Sequence, residues 1–149
     1  MGTQRDPFFL RMLARRSTKS ALIHILMIDP DYASAQHLLS ALKPPFSGTA
    51  VTTAREAGAA FESQRPALVV TELDLPDASG LELVGALHTH AAYRHVLLMV
   101  LTARTSVNYK IAAFQAGADD YLVKPLDPQR FAMHIERLSR FRQIFPAEE

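Results

Sequence analysis

The sequence predicts an α/β fold, a parallel sheet with helices on both faces, on three observations. Five short apolar segments alternate with five stretches of helical periodicity, the order that β-α-β crossovers produce. Segments such as ALVVT at 67–71 and VLLMVL at 96–101 are almost continuously apolar rather than alternating, as strands covered on both faces require. Four segments close on a residue able to do chemistry: Asp29, Glu72, Thr102 and Lys124. Parallel strands bring such ends to one edge of the sheet, which is where ligands bind.

The chain opens with MGTQRDPFFLRMLARRSTKS, residues 1–20, in which Arg5, Arg11, Arg15, Arg16 and Lys19 outnumber Asp6. Phe8, Phe9, Leu10, Met12 and Leu13 gather apolar surface there, so the segment reads either as a terminal arm or as a short amphipathic docking helix. Residues 21–142 form the predicted domain, and 143–149 a polar tail. The first strand is 21–29, stopped by Pro30. Asp31 caps a helix to Leu42 with Ala35, Leu38, Leu39 and Leu42 on one stripe, ended by Lys43-Pro44-Pro45. A short second strand, 49–52, leads to Thr53, which caps the helix 54–63 with Glu56 three residues on, a capping box.

The central stretch is ALVVTELDLPDASG, 67–80, running from a buried strand into an acidic, turn-rich loop with Glu72, Asp74 and Asp77. Ser79 and Glu82 repeat the capping box at the next helix. A fourth strand, 95–101, is followed by Thr102-Ala103 and a helix 107–116 that Gly117 ends. Asp119-Asp120, the short strand 121–123 and Lys124-Pro125 come next. Asp127 caps the last helix, with Pro128 at its first position and Phe131, Ile135, Leu138 and Phe141 facing inward.

Composition narrows the function classes. At 149 residues and 48% hydrophobic the chain suffices for one domain with a sizeable core and not for two. A net charge of +1 gives no bulk affinity for nucleic acid or a membrane surface. A nucleic-acid binder would rest on the N-terminal arm and on Arg137, Arg140 and Arg142, and no helix-turn-helix or zinc motif accompanies them. Without cysteine there is neither a disulfide framework nor a thiolate metal site. His24, His37, His88, His90, His95 and His134 lack the acidic or cysteine company that zinc needs. No apolar run approaches a membrane span and residues 1–20 lack a secretion signal's apolar core, so the cytoplasm is the expected compartment.

Asp29 after ILMI, the ELDLPDASGLEL run, LTAR and GADDYLVKP together resemble the receiver domain of two-component response regulators, over nearly all of 21–142. The resemblance implies a flavodoxin-like, CheY-like, doubly wound sheet of order 2-1-3-4-5 with five helices. It implies an acid pair after the first strand that holds Mg²⁺ and a phosphoacceptor Asp after the third. A Thr or Ser after the fourth strand and a Lys after the fifth contact the phosphoryl group, and an aromatic on the fifth strand switches rotamer. Thr102, Lys124 and Tyr121 fill the last three roles, and the Lys124-Pro125 bond is implied to be cis.

Two positions depart from the family's pattern. The family's acceptor precedes a Pro by four residues and a Gly by eight; Pro76 and Gly80 both count back to position 72, which is Glu. Pro30 stands where the second acid of the metal pair belongs. Asp29, Glu72 and a loop carbonyl near Asp74 are left to hold Mg²⁺, which is expected to bind weakly or not at all. The expected function is therefore a pseudo-receiver, a signalling and interaction module working without phosphorylation. The alternatives are a working regulator phosphorylated on Glu72 or Asp74 by a histidine kinase, and a flavodoxin-like cofactor-binding enzyme. Against the enzyme, Asp29-Pro30-Asp31-Tyr32 is no Gly-rich phosphate loop.

Partners are expected to be signalling proteins, a histidine kinase or an output protein. The resemblance places contacts on the face of the fourth helix, fifth strand and fifth helix: Tyr109, Lys110, Phe114, Asp119, Asp120, Arg130 and His134. One large subgroup dimerises there through crossed charge pairs. Here Arg130 stands where an acid is expected and would face Lys110, which predicts another protein partner or a homodimer of different geometry.

Overall fold

The computed structural model describes residues 22–142, with the side chains of Phe141 and Arg142 excepted; the readings for 1–20 and 143–149, and the inward-facing Phe141, lie outside what is described. The elements are β1 (Ile23–Ile28), α1 (Tyr32–Leu39), β2 (Phe46–Val51), α2 (Ala54–Gln64), β3 (Leu68–Thr71) and α3 (Gly80–Thr89). A 3₁₀ turn (Ala91–Tyr93), β4 (Leu97–Thr102), α4 (Val107–Ala116), β5 (Asp120–Val123) and α5 (Pro128–Arg142) follow. The five strands form one parallel sheet of order β2-β1-β3-β4-β5, the order the resemblance implies.

Alternation along the strands splits the core in two. Leu26, Ile28, Val69, Leu98 and Val100 pack against Ala57 and Phe61 of α2, Val84 and Leu87 of α3 and Ala113 of α4. Ile25, Met27, Leu68, Val70, Met99 and Leu101 pack against Ala35, Leu38 and Leu39 of α1 and Phe131 and Ile135 of α5. Both faces of β3 and β4 are therefore covered, which is why their sequences run apolar without a break. Each such leucine or valine stabilises the fold by roughly 1.5–3 kcal/mol relative to exposure.

Several boundaries differ from expectation. The helix predicted to reach Leu42 stops at Leu39, because its last turn tightens into i→i+3 bonds, Ala41 N–H to the Leu38 carbonyl and Leu42 N–H to that of Leu39, ahead of a cis Pro44-Pro45 bond. Leu42 still packs on the core. Strand β2 begins at Phe46 rather than Thr49. Its Pro-Phe-Ser-Gly start reads as loop, yet Gly48 belongs in the strand: a Cβ there would lie 2.6 Å from Leu39 Cδ2, so the bare backbone lets α1 pack down. The other strand and helix ends fall within one or two residues of expectation.

The two capping boxes are looser than predicted. Thr53 accepts the Glu56 N–H as expected, but Glu56 reaches back to the Thr52 N–H and hydroxyl, and that backbone bond holds its pKa below the usual carboxylate value. Ser79 accepts from the Leu81 N–H.

Candidate functional site

Register brings the strand ends together. Thr71 pairs with Ile28 on one side and Val100 on the other. One step on, Glu72 donates its N–H to the Ile28 carbonyl at 2.9 Å. Asp29 follows β1 directly, and Lys124 follows β5 with its N–H on the Thr102 carbonyl at 2.9 Å. Asp29, Glu72, Thr102 and Lys124 thus share the carboxyl edge of the sheet. The Lys124-Pro125 bond is cis.

Lys124 is the centre of the site. Its Nζ donates to Asp29 Oδ2 at 2.8 Å and to Glu72 Oε1 at 2.9 Å, and those two side chains are only 6% and 11% exposed. The remaining oxygens are also engaged: Asp29 Oδ1 accepts the Asp31 N–H at 2.9 Å and Glu72 Oε2 the Leu73 N–H at 2.7 Å. Burial pushes the Lys124 pKa down, but hydrogen bonds and charge from Asp29 and Glu72 outweigh it and hold the ammonium above the ordinary lysine value. Thr102 is buried and its Oγ1 accepts the Arg104 N–H at 3.4 Å; among the described residues no hydrogen bond joins it to Glu72. The Glu72 carboxylate therefore meets one of the two expected phosphoryl contacts, Lys124, and not the other.

A second, outer layer was not anticipated. Arg104, two residues beyond Thr102, forks onto Asp74, Nε to Oδ2 at 2.8 Å and Nη2 to Oδ1 at 3.0 Å. Its Nη1 donates to the Tyr109 hydroxyl at 3.0 Å, and the guanidinium stands 4.8 Å from that ring's centroid. The Tyr121 hydroxyl donates to the Arg104 carbonyl at 2.7 Å, which ties β5 to the loop before α4. Burial, aided by the charge of Glu72, pushes the Tyr121 phenol up. The Arg104 bond holds the Asp74 carboxyl below its usual value and Asp74 raises Arg104 in return. The Asp74 side chain is committed to Arg104, which leaves only the loop carbonyl near it as an oxygen to face the inner site.

The loop from Glu72 to Gly80 is anchored at Asp77 and closed across its ends. Asp77 accepts the N–H groups of Ala54 and Arg55 at 2.9 and 3.0 Å, capping α2 from outside the helix, and these bonds keep its pKa low. Gly80 donates its N–H to the Leu73 carbonyl at 2.8 Å, and a Cβ on Gly80 would collide with the Glu72 carbonyl. That close approach is the physical content of the Pro-Gly spacing.

Mg²⁺ needs near-octahedral oxygen ligands. Pro30 offers no carboxylate, and Asp31 caps α1 through the Ser34 N–H at 3.0 Å and hydroxyl at 2.7 Å. Asp29 and Glu72 are bridged by an ammonium, and Asp74 and Asp77 are tied elsewhere. No group of three His, Cys, Asp or Glu side chains among the described residues is placed to share a cation. This donor set does not fit Mg²⁺.

On the expected partner face, Lys110 Nζ lies 6.0 Å from the Tyr121 centroid. Asp119 Oδ2 accepts the Leu98 N–H at 2.9 Å and Asp120 Oδ1 the Tyr121 N–H at 2.8 Å, so both acids brace β5. Arg130 is exposed with its N–H capped by Asp127, and His134 is half-buried. Val107, Ile111 and Phe114, at helical spacing along α4, are 65%, 48% and 48% exposed. Only Phe114 of these was singled out from sequence, because an apolar run on a helix reads as core.

Residues 25–136 match the model of the response regulator receiver domain. The chain is 38% identical over 117 residues to the transcriptional regulatory protein BasR of Escherichia coli, covering 78% of this chain and 52% of BasR. It is 36% identical over 125 residues to the response regulator MprA of Mycolicibacterium vanbaalenii, covering 82% and 50%. It spans about half the length of these curated relatives. A CheY-like receiver domain from Methanospirillum hungatei superposes with a TM-score of 0.75 at 25% identity, over 83% of this chain and 98% of that one. The chemotaxis regulator CheY4 of Vibrio cholerae superposes at 0.72 and 24% identity, over 78% and 98%, a likeness of fold. Among the described residues no helix is long and apolar enough to cross a membrane. With its 2-1-3-4-5 sheet, the lysine at its carboxyl edge and this match, the chain belongs to the response regulator receiver domain family of two-component signalling.

Proposed function

We propose that this receiver signals without being phosphorylated, with Glu72 serving as a permanent anionic partner of Lys124. The observation that carries this reading is the Lys124 ammonium bridging Glu72 and Asp29 while Pro30 withholds the further acid a metal needs. Phosphoryl transfer to a carboxylate depends on in-line placement and on cations that neutralise developing charge. Glu72 carries an extra methylene, has both oxygens engaged and lacks a fitting metal site. Its charge meets Lys124 but not Thr102, so it reproduces part of the contact set of a phosphoryl group, with less charge and fewer acceptor oxygens.

The output is a protein contact on the α4–β5–α5 face. Val107, Ile111 and Phe114 supply exposed apolar surface there, beside Tyr109 and Tyr121. Like charge between Lys110 and Arg130 opposes the crossed-pair dimer, which favours a different protein or a dimer of other geometry. Histidine kinases and effector proteins are the partner class, and the cytoplasm the compartment.

Mg²⁺ titration followed by amide NMR tests the reading. The wild type and Glu72→Asp should show no saturable shift around residues 29, 72 and 74 at millimolar metal, whereas Glu72→Asp with Pro30→Asp should show one. Saturable wild-type binding at that edge would remove the basis of the proposal.

A further inference from the structure

At the opposite edge of the sheet, before β3 and β4 begin, lies a cavity of about 450 Å³, a volume within the range of small-molecule sites. Its floor is apolar: Phe61 and Val96 are each 5% exposed and Pro66 is buried. One wall is Tyr93, whose ring makes tilted contacts with Phe61, centroids 5.2 Å apart, and with His90, at 4.8 Å. The aromatic surface is thus fixed before any ligand arrives.

The rim carries opposite charges. Glu62, Arg65 and His95 line it, all exposed, and among the described residues their side chains make no hydrogen bond or ion pair. Arg65 is independently unusual. It closes α2 at φ 50° and ψ 62°, and it is the one non-glycine with positive φ among the described residues. Glycine takes this left-handed cap without steric cost. Holding an arginine there instead sets a cation at the cavity mouth at the expense of backbone ease, and such outliers gather at ligand sites.

We propose that this cavity binds a small aromatic amino acid or a close analogue. The ring lies against Phe61 and Tyr93, the carboxylate meets Arg65 with His95 alongside, and the ammonium meets Glu62. A simple anion such as phosphate would meet Glu62 unfavourably and leave the apolar floor uncovered, whereas a zwitterion with a ring answers all three features. The proposal is independent of the state of Glu72.

Amide NMR titration of the full chain with L-phenylalanine, 3-phenylpropionate and phenethylamine tests it. Phenylalanine should produce saturable shifts at Phe61, Tyr93 and Val96 with a dissociation constant on the order of 1 mM, modest for a ligand of this size. Each half-ligand, and phenylalanine with Arg65→Gly, should bind about tenfold more weakly. Because glycine is at ease in the left-handed cap, Arg65→Gly should keep its Tm, so lost binding is not lost folding. Glu62→Gln should abolish the preference for phenylalanine over phenylpropionate. Non-saturating shifts up to tens of millimolar, an unchanged titration in Arg65→Gly, or shifts gathering on another surface would overturn the proposal.

Discussion

The inner and outer layers of the candidate site use the same chemistry, a cation between carboxylates, under opposite solvation. Around Lys124 the partners Asp29 and Glu72 are 6% and 11% exposed; in the outer pair Arg104 and Asp74 are 42% and 61% exposed. Water screens the outer pair, so it contributes little energy and mainly positions Tyr109 and the loop before α4. The carboxylates of the inner trio have little access to water, and removing its one cation, itself 27% exposed, leaves those two largely buried carboxylates facing each other. Stability therefore resides in the inner layer, while the outer layer governs the shape of the site's mouth.

The largest effect should come from Lys124→Met, about 3 kcal/mol of destabilisation by urea unfolding, the lower end for breaking a buried pair because the lysine is partly exposed. A loss below about 1 kcal/mol would make the two layers equivalent. The pH dependence should separate them as well. The Lys124 pKa is raised, so its contribution is complete below the ordinary value of 10.5 and is lost as pH rises through the higher folded value. The Asp74 pKa is lowered, so its contribution is present above 3.8 and is lost as pH falls through the lower folded value. Wild type should lose urea stability more steeply than Lys124→Met on the alkaline side.

Glu72→Gln should cost about 1 kcal/mol or less, since Lys124 keeps Asp29 and the amide oxygen still accepts the Leu73 N–H. Arg104→Ala should cost less than Glu72→Gln, because water already screens the exposed pair, and 1 M salt should erase the difference. A salt-independent loss would mean that Arg104 belongs with the inner layer. Smallest in stability terms is the partner face: sedimentation with and without residues 1–20, at low and high salt, should show no crossed-pair dimer. A dimer dependent on Lys110 and Arg130 would overturn the charge argument.

The inner layer was legible in the sequence because strands covered on both faces announce themselves as unbroken apolar runs, and the residue after each run is then fixed at one sheet edge. The Pro76–Gly80 spacing singled out Glu72 because Gly80 must touch its backbone. The outer layer was not legible: Arg104 and Asp74 are 30 residues apart on two loops, and Asp77 reaches α2 across 22 and 23. No local pattern encodes such contacts, although charge complementarity at a common edge would have suggested the first. Strand β2 was misplaced because its Ser47-Gly48 start looks like a turn until Leu39 is seen occupying the space above the glycine.

The central claim is that the inner trio has replaced phosphorylation. Exposing the wild-type chain to acetyl phosphate and Mg²⁺ and weighing it by intact mass tests this most directly, with Glu72→Asp and the Glu72→Asp, Pro30→Asp double variant in parallel. The account predicts an unchanged mass for the wild type, little change for the single variant and a gain of one phosphoryl group for the double. A wild-type gain of one phosphoryl group that maps to Glu72 or Asp74 would contradict it.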